Sequence, residues 1–92
     1  MVESRVRRRA VVSGVVQGVG FRWAARERAV SLGVAGYARN LVDGTVVVEA
    51  EGEPSAVEDF LAWLSSGPPS ASVSGVDVRS TPPTGSSGFD VG

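Results

Sequence analysis

The chain predicts an α+β domain, an antiparallel sheet with two helices packed on one face. Three observations predict it. Apolar and polar residues alternate over Arg7 to Ser13, Thr45 to Glu51 and Val73 to Arg79, the period of half-buried strands. Two apolar stripes recur at helical spacing, through Phe21, Ala25, Ala29 and Leu32 and through Val57, Phe60, Leu61 and Leu64. An Asp-Gly pair in Val42-Asp43-Gly44 carries the signal of a hairpin between two strands.

Taken in order, Met1 to Arg5 reads as a loose terminus. Arg7 to Ser13 is rich in Val and forms the first strand. Gly14 to Gly20 is a glycine-rich loop. The first helix runs from Phe21 to Leu32, and Gly33 closes it as a C′ residue. Ala35 to Leu41 is the second strand and Thr45 to Glu51 the third. On the third strand Val46, Val48 and Ala50 share one face, while Glu49 and Glu51 point the other way. Pro54 suits the first turn of the second helix, which Gly67-Pro68-Pro69 stops. Val73 to Arg79 is a fourth strand, Ser80 to Gly88 a Pro/Gly/Ser-rich loop, and Phe89 with Val91 a short last strand. Two helices cannot cover both faces of so small a sheet. The order β-α-β-β-α-β with a short C-terminal strand therefore predicts the ferredoxin-like α/β sandwich. Its other face is expected to stay partly solvated, with Glu49, Glu51 and Arg79 on it.

Ninety-two residues make a single domain, 1–92. There is no cysteine and no histidine, which excludes a disulfide framework, a thiol nucleophile and a phosphohistidine mechanism. The same absence removes the usual ligands of zinc, copper and iron, and no cofactor is expected. No apolar run approaches the ~20 residues of a membrane span. No secretory pattern follows the charged start, and the expected location is the cytoplasm. Charge is uneven: residues 1–40 hold eight Arg and two Glu, and residues 41–92 one Arg and eight acids. A basic first half suits an anionic small molecule. Base stacking on the central strands would need aromatics there, and Arg7 to Ser13 and Thr45 to Glu51 have none, so nucleic acid is not the expected partner.

The densest functional signal is Gly14-Val15-Val16-Gln17-Gly18-Val19-Gly20-Phe21-Arg22. Three glycines within seven positions let a loop turn its N–H groups around an anion. Arg22, in the first turn of the helix that follows, leans back toward the loop and offers a planar fork of donors that matches phosphate. The Lys-Ser/Thr pair of a nucleotide-binding P-loop is missing. Around this loop, Arg7, Arg8, Arg9, Arg26 and Arg28 read as exposed faces. Trp23 and Trp63 lie off the helical stripes and read as half-buried packing groups. Tyr37 reads as packing and Asp43 as a turn residue. Arg39 alternates to the sheet face opposite Asn40.

These residues resemble the acylphosphatases. The family signature G-x-V-Q-G-V-G-F-R is filled at every fixed position by Gly14 to Arg22. A second segment, G-[YW]-x-[RK]-N-x-x-D-G-[ST]-V, matches Gly36 to Val46, with Asn40 in register. Phe60 to Leu64 and Gly67 to Pro69 also look like the family. The resemblance implies hydrolysis of an acyl phosphate to a carboxylate and inorganic phosphate, without metal and without a covalent intermediate. It implies that Arg22 binds the phosphate and that Asn40 positions the attacking water. It implies that Val15, Val16, Gln17, Gly18, Val19 and Gly20 supply the backbone cradle. Inorganic phosphate would be both product and competitive inhibitor, and a monomer would suffice. Two departures stand out. Val15 occupies a position where many members carry a basic or polar residue, and the chain after Phe89 lacks their basic or aromatic terminus. Two other readings of the chain are a non-catalytic phosphate-binding or regulatory module on the same fold, and the acylphosphatase-like region of larger carbamoyl-transfer maturation proteins.

Overall fold

Alternation along the strands decides which way each side chain faces, and hence where the core lies. The computed structural model describes residues 4–92; Met1 to Glu3, most of the expected loose terminus, lie outside them. Strand β1 (Val6–Val15) leads into helix α1 (Phe21–Leu32), followed by β2 (Ala35–Asn40), β3 (Val46–Gly52), α2 (Pro54–Ser66), β4 (Ser72–Thr81) and β5 (Phe89–Val91). The sheet runs β4-β1-β3-β2-β5. Every neighbouring pair is antiparallel except β2 and β5, which are parallel, so the sheet is mixed.

Both helices lie on one face, as expected. Ala10, Val12, Ala38, Val46, Val48 and Ala50 point toward them and are buried against Phe21, Ala25 and Ala29 of α1 and Val57, Phe60 and Leu64 of α2. Alanine at two of the three buried α1 positions lets that helix lie close to the sheet. Phe89 closes this core at the β5 edge, its ring edge-on to Phe60 with centroids 5.8 Å apart. Gly33 ends α1 in the left-handed conformation and Pro54 opens α2, as the sequence predicts. Trp63 is half-buried between Phe21 and Phe60, with the Arg28 guanidinium over its ring. Trp23, expected to be half-buried, is exposed, because it projects from α1 nearly opposite the buried Phe21–Ala25–Ala29 stripe. Among the described residues no helix is long and apolar enough to cross a membrane.

The outer face of the sheet departs from expectation. Glu51 and Arg7, both read as solvated, are 0% and 5% exposed. They stand directly opposite each other on β3 and β1, and the segment 82–88 crosses above them from β4 to β5. Burying a carboxylate is costly unless its oxygens are satisfied, and here both are. The Arg7 guanidinium donates to Oε1 at 2.9 Å, the Thr84 amide to Oε1 at 2.8 Å and the Gly85 amide to Oε2 at 2.9 Å. Arg5 adds a contact to Oε2 at 3.3 Å. Arg7 also donates to Glu49 at 2.6 Å, and Glu49 accepts the Tyr37 hydroxyl at 2.8 Å. Periodicity put these side chains on the correct face. It could not foresee that a loop would return to cover them.

Burial opposes ionisation of Glu51, but the Thr84 amide, the Arg7 guanidinium, the Gly85 amide and Arg5 outweigh it and hold the carboxyl at about 2. A folded-state value below the ordinary one stabilises the protein above the ordinary carboxylate range and loses that contribution as pH falls toward 2. The stability difference between wild type and Glu51→Gln, from urea melts, is therefore expected to narrow steadily as pH drops from about 5 to 2. Arg7→Ala strands the buried carboxylate and should cost about 3–5 kcal/mol at neutral pH. A loss under 1 kcal/mol in the same melts would contradict this account of the outer face.

Candidate active site

The candidate site forms where β1, α1 and the β2–β3 turn meet at one end of the sheet. A bulge between Ser13 and Gly14 shifts the register of β1 against β4 and turns the chain out of the sheet toward the loop. Val15 still pairs with Ser72 of β4, so the free loop begins at Val16. Val16 is buried in the core and Val19 packs against it, which anchors the loop at two points three residues apart. Between them the backbone bends without helical or strand bonding. Gly18 and Gly20 adopt φ of +75° and +76°, and nothing lies within 4 Å of where a Cβ would stand at either. The need for glycine there is conformational rather than steric.

α1 begins at Gly20 with no side-chain cap and no acidic residue in its first turn. Its leading N–H groups therefore open onto the loop, at the positive end of the helix dipole. Among the described residues no backbone carbonyl outside the regular elements accepts from the amides of Val16 to Gly20. The result is a run of backbone donors without a backbone acceptor outside the regular elements, ahead of a helix start that carries no acidic residue.

Arg22 stands in the first turn of α1 and donates from Nη1 to the carbonyl of Gly92. Gly92 in turn donates its amide to the Ala38 carbonyl at 3.0 Å. This links the guanidinium to the outgoing end of β2, two residues before Asn40. Asn40 ends β2, exposed, opposite Val46. Val46 is buried beneath the helices, so alternation puts Asn40 on the helix side of the sheet, as Arg22 is. Arg39 faces the other way, its guanidinium over the Tyr37 ring at 4.7 Å. β1 and β2 are not neighbours, since β3 lies between them. The loop and Asn40 are joined instead by a side chain whose role in the geometry the sequence did not disclose. The Gln17 amide donates to the carbonyls of Leu41 at 2.8 Å and Thr45 at 2.9 Å. The turn it grips is rigid: Leu41 donates to Thr45 at 2.9 Å, and Asp43 accepts from both the amide and the hydroxyl of Thr45.

Gln17 enters the site as a backbone donor in the sequence reading. Its side chain proves to be the strut between loop and turn. On the far side of the loop the Ser70 hydroxyl donates to the Val19 carbonyl at 2.7 Å. No local pattern announces either contact. The one hint is a long amide side chain in an otherwise apolar and glycine-rich segment. Arg22, the amides of Val16 to Gly20 and Asn40 thus share one end of the molecule, while Val15 belongs more to the sheet than to the loop.

Known proteins resemble this chain in sequence and in fold. The sequence profile of the acylphosphatase family matches residues 8–91. The curated acylphosphatase of Alkalilimnicola ehrlichii is 52% identical over 81 residues, covering 85% of this chain and 91% of its own length. The solved acylphosphatase of Coxiella burnetii superposes with a TM-score of 0.90 at 37% identity, over 95% of this chain and 92% of that one. Full-length HypF in its phosphate- and nucleotide-bound form superposes with a TM-score of 0.87 at 26% identity, over 99% of this chain but 12% of that one.

The strut is open to test. Gln17→Leu keeps the bulk but removes the second donor from the carbonyls of Leu41 and Thr45, which retain the backbone amides of Gly44 and Leu41, and should destabilise the fold by about 0.5–1.5 kcal/mol in urea melts. The loop would then be free to move relative to the turn, so phosphate affinity measured by calorimetry should fall as well. Unchanged phosphate affinity would show that the strut does not set the loop.

Proposed function

The chain belongs to the acylphosphatase family, and on that premise we propose how its residues carry out the reaction. The activity is hydrolysis of the carboxyl–phosphate bond of a small acyl phosphate. In the proposed path the phosphoryl group sits in the cradle of Val16 to Gly20, with Val15 at its rim on β1, held by the loop amides and by the forked guanidinium of Arg22. Asn40 accepts a hydrogen bond from a water through its amide oxygen and aims it in line with the bond to be broken. The water oxygen forms a bond to phosphorus as the bond from phosphorus to the acyl oxygen breaks. The carboxylate leaves with the bonding pair, and the water's proton passes to a phosphate oxygen of the substrate.

The single observation that carries this reading is the convergence of an uncapped helix start, a loop of undirected amides and an arginine on the side of the sheet where Asn40 ends its strand. The chemistry asks for little more. The leaving carboxylate has a conjugate acid of pKa about 4, so it departs without a strong general acid. A chain without histidine or cysteine suits such a reaction. What must be stabilised is charge on the phosphoryl oxygens, which preorganised amides and a guanidinium do well. A neutral amide at position 40 aims the water without repelling those oxygens, as a carboxylate would. In this reading no metal takes part, inorganic phosphate as product competes for the cradle, and one copy of the chain contains every group the path requires. A cytoplasmic setting agrees with a chain that has no cysteine to oxidise.

Hydrolysis of benzoyl phosphate by purified protein in excess chelator is the direct measurement, and phosphate release should be unaffected by the chelator. Arg22→Ala should abolish turnover and phosphate binding together, and Arg22→Lys should recover little of either, because it restores charge without the fork. Asn40→Ala should lower kcat by about 10²–10³-fold, the range for loss of one preorganised polar group, while phosphate still competes. Wild-type turnover in Asn40→Ala would remove Asn40 from the mechanism.

A further inference from the structure

The buried cluster on the outer face lies at the end of the sheet away from the candidate site. Glu51 pairs with Ala35, and Asn40 lies five residues further along β2, roughly 16 Å at strand spacing. The reaction path above uses none of the cluster's members. Yet every link between the cluster and Arg22 is a contact in the structure. Glu51 accepts the amides of Thr84 and Gly85, and Arg7 donates to the side chains of Thr84 and Ser86 at 3.2 and 3.1 Å. These bonds tie the segment 82–88 to the body of the sheet. That segment leads straight into β5, which runs parallel to β2 from Gly36 to Ala38. The residue after β5 is Gly92, whose carbonyl receives the Arg22 guanidinium.

Besides this tether, β5 is held by its short pairing with β2 and by Phe89 in the core. It is three residues long, an edge strand and parallel, with Phe89 as its one buried side chain. Backbone bonds from Gly36 to the Gly88 carbonyl and from Gly92 to the Ala38 carbonyl fix its two ends. A strand so short is marginal by itself. The buried ion pair at its root adds a further constraint, because moving the segment would strip the Thr84 and Gly85 amides from the buried Glu51 carboxylate.

We propose that Glu51, together with Arg7, is a positioning residue for the reaction: it fixes the 82–88 segment and, through β5 and the Gly92 carbonyl, sets the Arg22 guanidinium at the phosphate cradle. The proposal rests on the reading of Arg22 as the phosphate ligand. It separates two supports within the site. Asn40 and the loop are held by Gln17 and the β2–β3 turn, whereas Arg22 is held from the opposite end of the sheet. Loosening the cluster should therefore act on phosphate affinity and KM more than on kcat.

The test measures KM and kcat for benzoyl phosphate and the inhibition constant of inorganic phosphate at neutral pH, in protein whose fold is verified by circular dichroism. Glu51→Gln removes the charge but keeps the shape. Thr84→Val with Ser86→Ala removes the segment's side-chain contacts and leaves the Arg7–Glu51 pair intact, so it serves where Glu51→Gln does not fold. Either should weaken phosphate binding by about tenfold, since a displacement near 1 Å from a remote change can cost up to ~100-fold, with kcat moving less. Removing Gly92 should weaken phosphate similarly, and adding Glu51→Gln or the double substitution to that deletion should cost nothing further, because all act through one contact. A merely structural role would give additive losses. Wild-type phosphate inhibition in both folded variants, or losses that multiply with the Gly92 deletion, would overturn the proposal. If Arg22→Ala itself keeps wild-type phosphate affinity, the reading of Arg22 falls and the proposal falls with it. If Arg22→Ala loses phosphate and the outer-face variants do not, only the proposal falls.

Discussion

A carboxylate with no solvent exposure is the constraint around which the outer half of this molecule is arranged. Glu51 sits on the central strand, fully buried near the strand's end, where an unpaired charge would be prohibitively unstable. Its oxygens are satisfied by two arginines from β1 and the stretch before it and by two amides from a segment more than thirty residues later. The consequence is topological. A loop rich in proline, glycine and serine, with no regular structure of its own, is held across the sheet and delivers the last strand to the opposite edge. Removing either partner of such a pair costs more than the pair contributes, because what remains is a buried charge.

The candidate site shows the complementary economy of means. Its loop is apolar and glycine-rich, and it is held by burial of Val16, packing of Val19 and two side-chain hydrogen-bond systems at its flanks. None of these uses the backbone amides of Val16 to Gly20. A loop that used its own amides to hold its shape could not offer them to an anion. The division of labour between side chains that fix the loop and main chain that faces the ligand is what preorganisation requires. Arg22 forms no salt bridge with an Asp or Glu side chain among the described residues, and its guanidinium is oriented by the contact with Gly92.

The outer face also bears on what the fold is used for. Domains of this strand order that bind single-stranded nucleic acid present aromatic side chains on the exposed central strands. Here the corresponding face carries Arg7, Glu49 and Glu51 in mutual contact, partly covered by the 82–88 segment. The basic excess of the first forty residues is thereby partly consumed inside the fold, since Arg5, Arg7 and Arg9 are all engaged with Glu49 or Glu51. Part of the charge asymmetry visible in the sequence comes from the opposite sides of this one cluster, three of the eight arginines of residues 1–40 and two of the eight acids of residues 41–92.

The sequence by itself determined the order and nature of the elements, the helical stripes that fill the core, the hairpin at Asp43 and the glycine loop ahead of Arg22. Those are local properties: periodicity, turn chemistry and backbone freedom act over a few residues and leave a readable trace. The motif match likewise pointed to the family. The tertiary structure alone decided the rest. The parallel pairing of β5, the burial of Arg7 and Glu51, the exposure of Trp23, the Gln17 strut and the Gly92 carbonyl at Arg22 all depend on which distant segments meet. A strand's alternation says which face Glu51 points to, and only a loop returning from 33 residues downstream says whether that face is wet. Contacts of that range are set by the closing of the whole fold, and no window of the sequence contains both partners.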